Sequence, residues 1–279
     1  LLKRHESTLC GMVKLMFQPA EETLEGALDM LKSGVLENPP VDAAMALHVT
    51  SGQMPLGLYM YNAGGTMMAS VDGFKITLNG HGGHGSMPET AVDPINAAVQ
   101  VYLALQSLIA REVGGTEEAV LTIGQLSAGD TANVIPERAV LQGTLRTFDP
   151  GVRQRLCNRI REVAAGVSAT YRCQWEYEVL SACPSVITDD TVTSAVEKSI
   201  RSLVPQFHIL GGAHGMGSED FAEIAQKVPS AYYMLGAGPE AEEKRLGQHN
   251  PKIEFNESVL PIGAAIYAKA AMDWLQEHK

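Results

Sequence analysis

Between residues 70 and 183 the apolar positions switch between two periods, and the order of the switches predicts a small complete domain. Phe74, Ile76 and Leu78 alternate with Lys75 and Thr77, as in a half-buried strand. Asp93 and Pro94 then read as the cap and first position of a helix. Its apolar stripe is Ile95, Ala98, Val99, Tyr102, Leu105 and Ile109. Two strands follow, Val120 to Leu126 and Ala139 to Phe148. Asp149-Pro150 opens a second helix with Val152, Leu156, Ile160, Val163 and Val167 on one face. The last strand alternates Trp175, Tyr177 and Val179 with Gln174, Glu176 and Glu178. Strand-helix-strand-strand-helix-strand is the ferredoxin-like order.

The flanking segments predict a second α/β unit, so that one domain is inserted into the other. The apolar run Met12 to Phe17 and the segment Ala43 to Val49 read as buried strands, the latter too short for a membrane span. After the insert come a helix from Thr191 to Leu203, an apolar run from Ser230 to Gly236 and a closing helix from Ser258 to Glu277. The boundaries fall near Gly64-Gly65 and Cys183-Pro184, giving domains of 1–69 with 184–279, and 70–183. The Gly-rich stretch Gly211 to Gly217 lacks the lysine and spacing of a phosphate loop and reads as a backbone loop.

Composition narrows the partners. The 279 residues are 45% hydrophobic, enough for two packed cores, and the formal net charge of -11 argues against nucleic acid and anionic membrane. Leu1-Leu2-Lys3-Arg4 does not read as a signal peptide. Cys10, Cys157, Cys173 and Cys183 show neither metal spacing nor a disulfide framework, which places reduced thiols in a cytoplasmic protein. Cys173 and Cys183 lie near the two ends of one strand, where about 3.3 Å of rise per residue holds them too far apart to bridge.

The candidate chemistry begins at Phe17-Gln18-Pro19-Ala20-Glu21-Glu22. At the end of a strand, adjacent acids can do different jobs: one ligates a divalent metal while the other handles the proton of an attacking water. The plainer alternative is a solvated first turn at the positive end of a helix dipole. His48 lies in the apolar segment, where it is either a ligand or a satisfied core residue. Gln248-His249-Asn250-Pro251 sets a second histidine in a turn-forming loop. Glu22, His48 and His249 would supply O, N and N ligands, a mix that suits zinc or manganese over magnesium or calcium.

Six motifs then occur in order: Gln18-Pro19-Ala20-Glu21-Glu22, Leu47-His48-Val49, Gly83-His84-Gly85-Ser86-Met87-Pro88, Asn133-Val134-Ile135-Pro136, Gly217-Ser218-Glu219-Asp220-Phe221 and His249-Asn250-Pro251-Lys252. Over essentially its whole length the chain resembles the co-catalytic metallopeptidases of the aminoacylase, carboxypeptidase G and hippurate hydrolase family. The likeness is strongest to the amidohydrolase branch that includes auxin-conjugate hydrolases. The resemblance implies an α/β fold: a discontinuous zinc-peptidase-like catalytic domain with an inserted ferredoxin-like α+β lid and dimerisation domain. It also implies a homodimer and a small-molecule N-acyl amino acid or peptide substrate.

The resemblance further implies two divalent ions, zinc or manganese, with Glu22, His48 and His249 as metal ligands and Glu21 as general base. His84 matches a histidine that one subunit's lid lends to its partner's active site; an imidazole there can stabilise an oxyanion, although a glycine-rich loop can also carry a histidine of no function. His81 reads as a surface residue. Asn133 and Arg146 match a pair that together holds the substrate's carboxylate, since arginine presents a planar fork to it. The other reading of a strand arginine is a solvated edge charge. Glu219 and Asp220 stay outside the ligand set; they could order the glycine loop, orient a ligand histidine, or simply begin a helix from Phe221 to Gln226.

Members of the branch carry an upstream Cys-Gly-His-Asp segment that completes the two-metal site, and no such segment occurs in this sequence. The chain therefore reads as an N-terminally truncated member holding three of the five ligands. The expected activity is hydrolysis of N-acyl amino acids. A dipeptidase or carboxypeptidase, and a catalytically inactive dimerising fragment, are the alternatives.

Overall fold

A computed structural model describes residues 1–278, with the side chain of Gln53 outside that description. In chain order the first elements are α1 (Gly26–Lys32), β1 (Ala44–Pro55), β2 (Leu58–Tyr61), β3 (Thr66–Met68), β4 (Ser70–Asn79), β5 (Gly83–His84), α2 (Pro94–Glu112), β6 (Ala119–Ala128) and β7 (Val134–Ile135). The rest are β8 (Arg138–Thr147), α3 (Pro150–Thr170), β9 (Gln174–Cys183), β10 (Val186–Ile187), α4 (Asp190–Leu203), β11 (His208–Leu210), α5 (Phe221–Ala225), β12 (Ser230–Gly238) and α6 (Leu260–Glu277). They form two compact units. One comprises Leu1–Met67, Val186–Gly215 and the chain from Asp220 on; the other comprises Met68–Ser185 and Met216–Glu219.

The second unit is an antiparallel sheet in the order β6-β8-β4-β9, with α2 and α3 packed on it. Phe74, Ile76 and Leu78 of β4 are fully buried, meeting Leu105 of α2, Leu141 and Leu145 of β8, and Leu156 and Ile160 of α3. Both helices start where the capping residues stand. Asp93 accepts from the Ile95 amide at 2.8 Å, and Asp149 from the Val152 amide at 2.8 Å. Arg153 clamps Asp72 through two bonds of 2.7 and 2.8 Å, tying the first turn of α3 to β4.

Two expectations about this unit are corrected. The buried face of α2 is Ala97, Ala98, Val101, Leu105 and Leu108, whereas Ile95, Val99 and Tyr102 of the expected stripe face outward together with Leu103. The helix is apolar on two faces, and periodicity alone cannot say which of them meets the sheet. In β9 the alternation breaks at Leu180, an extra residue between Val179, opposite Phe74, and Ser181, opposite Gly73. This bulge leaves Val179 and Leu180 both exposed.

The first unit holds a mixed sheet in the order β1-β12-β2-β11. β1 runs parallel to β12, β12 antiparallel to β2, and β2 parallel to β11. α4 and α6 cover it, burying Val196, Ile200 and Ile266 against Tyr59, Tyr233 and Leu235. α4 begins where Asp189 accepts from the Val192 amide at 2.9 Å. Residues 12–17, expected as a buried strand, form no regular element. Met12, Leu15 and Phe17 are exposed, the last at 84%. A strand needs a neighbour to fill its ladder, and no strand of the described residues pairs with this segment. Lys14 anchors it, its Nζ donating to the Val35 and Pro39 carbonyls at 2.7 and 2.9 Å.

No helix among the described residues is long and apolar enough to cross a membrane. All four cysteines are free thiols. Burial pushes the Cys157 thiol up to about 11, so it is an inert packing residue rather than a nucleophile.

Candidate functional site

The acid pair sits on a strained turn. Glu21–Thr23 makes a single 3-10 turn, and the residues on either side of it, Ala20 and Leu24, lie in the left-handed region at φ 52° and 60°. Neither residue type favours that region, and each such backbone costs about 1–3 kcal/mol. Four non-glycine residues with positive φ occur among the described residues. Besides these two, one is Arg172 and the other is His249, at φ 65°. The turn is closed by the Leu24 amide donating to the Glu21 carbonyl at 2.8 Å. At its base a Cβ on Gly26 would lie 1.6 Å from the Pro19 carbonyl oxygen, so only glycine fits there.

From this turn the neighbouring carboxylates part. Glu22 Oε2 lies 3.6 Å from His249 Nδ1, both side chains being more than 70% exposed. Glu21 instead brings its carboxylate within 4.8 Å of that of Asp220, which is fully buried. His48 lies on β1 opposite Met234 of β12, and its Nδ1 is buried without a hydrogen bond. Leaving such a nitrogen unpaired costs about 1–3 kcal/mol, a penalty that coordination would remove. The donor set therefore fits a zinc- or manganese-type cation in chemistry.

Its geometry falls short of the expected convergence. Among the described residues Glu22, His48 and His249 do not form a set whose donor atoms all lie within 4.8 Å of one another. Glu22 and His249 meet because both are exposed side chains on turns; His48 is fixed to a sheet strand and half-buried.

In the second unit β5 and β7 form a two-stranded ladder that pairs His84 with Val134, and the Gly85 amide donates to the Asn133 carbonyl at 2.8 Å. His84 and Asn133 are thus held side by side. The Ser86 amide donates to His84 Nδ1 at 3.1 Å, with the Ser86 hydroxyl 2.8 Å from the same nitrogen. An N–H directed at Nδ1 makes that nitrogen the acceptor, so the neutral ring carries its proton on Nε2. His81 is exposed and bridges Val92.

Arg146 lies elsewhere. It stands near the far end of β8, where Nη1 donates to the Met216 carbonyl at 2.7 Å and the Ser218 hydroxyl at 3.1 Å. Asn133 precedes the other end of that strand, and eight residues from Arg138 to Arg146 at the usual rise span about 27 Å. Within one chain the two therefore stand toward opposite ends of β8. Spacing along the sequence hid this, because the residues between them run as one extended strand.

Sequence reasoning also missed Gly26 and the left-handed backbone of Ala20 and Leu24. Alanine and leucine carry no signal for that conformation. Asp220 reads in the sequence as a residue that orders the glycine loop, orients a ligand histidine or begins a helix, and none of these places it against the Glu21-Glu22 turn.

The family model described as peptidase family M20/M25/M40 matches residues 1–273. N-acetylcysteine deacetylase of Bacillus subtilis (strain 168) is 34% identical over 279 residues, covering 100% of this chain and 70% of that protein. IAA-amino acid hydrolase ILR1-like 2 of Arabidopsis thaliana is 34% identical over 281 residues, covering 99% of this chain. The chain spans only 62% of that relative's length. Among solved structures, the Bacillus subtilis YXEP protein, described as a dinuclear metal binding peptidase from the M20 family, superposes with a TM-score of 0.78 at 30% identity, over 99% of this chain and 68% of that one.

The Ser86 bonds fix an expected tautomer. At about pH 8.5, some two units above the ordinary histidine value, long-range proton–nitrogen NMR of His84 is expected to show Nε2 protonated and Nδ1 bare. Predominant Nδ1–H would contradict the geometry.

Proposed function

The chain belongs to peptidase family M20/M25/M40, and on that premise we propose that it is the greater part of a metal-dependent amidohydrolase that cleaves an N-acyl amino acid to an acid and a free amino acid. The observation that carries this reading is the parting of the adjacent carboxylates, Glu22 toward His249 and Glu21 toward Asp220. That division gives one acid to a cation and leaves the other for a proton.

The relative described as a dinuclear metal binding peptidase supports two metal ions; the zinc or manganese class, and Glu22, His48 and His249 as this chain's ligands, follow from the donor chemistry. When bound, such ions acidify water and polarise the scissile carbonyl. Glu21 takes a proton from the attacking water and delivers it to the departing amine nitrogen as the C–N bond breaks. His84 offers its Nε2–H to the carbonyl oxygen as negative charge develops there. Asn133, seated beside His84, works at the same site, whereas Arg146 presents its fork to the substrate carboxylate.

Because Asn133 and Arg146 stand at opposite ends of one strand, we assign His84 and Asn133 to the partner subunit's site in a homodimer. The second unit has a surface for that partner: Ile95, Val99, Tyr102 and Leu103 form an outward stripe on α2. β6 is an edge strand with Val120 and Leu126 exposed. An apolar, unpaired edge is a template for another strand. A lid and dimerisation role for this unit follows. Free cysteines throughout support a cytoplasmic location.

Relatives also include a thermostable carboxypeptidase of Saccharolobus solfataricus at 31% identity. The two at 34% are a deacetylase and an amino acid conjugate hydrolase, which favours N-acyl substrates.

Glu21→Gln is expected to lower hydrolysis of N-acetyl amino acids by about a thousandfold while metal content, read by mass spectrometry, stays unchanged; equal turnover refutes the base. Val99→Glu combined with Tyr102→Glu is expected to convert a dimer to a monomer in sedimentation. A wild-type monomer, or an undisturbed dimer in the variant, contradicts the interface.

A further inference from the structure

The loop that carries the acid pair is held at both ends by one buried carboxylate. Asp220 is completely shielded from water. Its Oδ1 accepts from the side-chain amide of Gln18, and its Oδ2 accepts the backbone N–H of Ala27 at 2.8 Å. Gln18 and Ala27 bracket the whole turn, including both left-handed residues and the contact of Gly26 with the Pro19 carbonyl. The residue before a helix ordinarily uses an aspartate to cap it. Asp220 directly precedes α5, yet its side chain makes no capping bond and is turned to this loop.

A strained backbone persists only where its surroundings over-determine it, and a buried carboxylate persists only where donors fill its lone pairs. Here each condition meets the other. We propose that Asp220 is a positioning residue: it draws Gln18 and Ala27 together, locks the turn between them, and so sets the directions in which Glu21 and Glu22 point. What the positioning serves rests on the base and ligand reading above, whereas the clamp is read from the loop alone.

The clamp uses both carboxylate oxygens as acceptors. Asparagine at 220 keeps one oxygen for the Ala27 N–H and turns its own N–H toward Gln18, whose amide must rotate to present its oxygen, so that link survives only as a bond between two neutral groups. Exchanging the side chains, Asp220→Asn with Gln18→Glu, returns a carboxylate to that bond. The new amide donates to the new carboxylate and still accepts from Ala27, at the same total charge.

The experiment compares the 279-residue chain with Asp220→Asn and with the exchange double variant. It reads backbone hydrogen exchange over residues 20–26, zinc affinity by calorimetry and melting temperature. Asp220→Asn is expected to speed exchange in the loop and weaken zinc binding by about tenfold each, on the scale of one lost charge-assisted bond. The double variant is expected to recover both to within about threefold. Uniformly faster exchange throughout the chain with unchanged zinc affinity, or a double variant no better than the single one, overturns the proposal. If Asp220→Asn does not fold, Gln18→Met cuts the same link from the loop side, and faster exchange confined to the loop upholds the clamp while unchanged exchange overturns it. If the wild-type chain binds no zinc, the metal reading fails and loop exchange alone decides the clamp.

Discussion

A carboxylate removed from water needs donors on both oxygens, and Asp220 satisfies that requirement by joining two points nine residues apart in the chain, Gln18 and Ala27. The directions of the paired acids are set within the loop so closed. Its two left-handed residues would relax in an open segment, and its base admits only glycine at position 26. Within it two identical side chains, consecutive in sequence, meet different neighbours. The site is therefore built by backbone geometry first and by side-chain chemistry second.

The same economy is visible in the second unit, where short pieces of ladder place the polar groups. Gly83–His84 pairs with Val134–Ile135, and that contact alone brings His84 beside Asn133. The long strand that follows carries Arg146 away to the other end of the sheet. The polar groups of this unit are thus divided between the two ends of its sheet. The same unit carries an outward apolar stripe on α2 and an edge strand, β6, with apolar residues exposed, the surface on which the proposed homodimer rests.

Much of this was legible in the sequence where the signal is local. The caps Asp93 and Asp149, the buried alternation of Phe74, Ile76 and Leu78, and the element order between 70 and 183 are written in periodicity and cap chemistry, and the structure has them. Where the outcome depends on a partner distant in the chain, local pattern misleads. Met12 to Phe17 has the composition of a strand but no neighbour to pair with among the described residues. α2 has two apolar faces, and only packing chooses between them. Within the site, the motif named Glu21, Glu22 and His249, and the structure brings the last two together. It could not show that Asp220, some two hundred residues downstream, holds the turn from behind, nor that alanine and leucine adopt a glycine-like backbone there.

The central claim is that Glu22, His48 and His249 share a cation. X-ray absorption at the zinc edge of the loaded chain tests it most directly. The account expects a first shell of nitrogen and oxygen at about 2.0–2.1 Å with the outer-shell scattering of two imidazoles, reduced to one in His48→Ala. A sulfur shell at about 2.3 Å, a single imidazole in the wild type, or a spectrum unchanged by His48→Ala would contradict it.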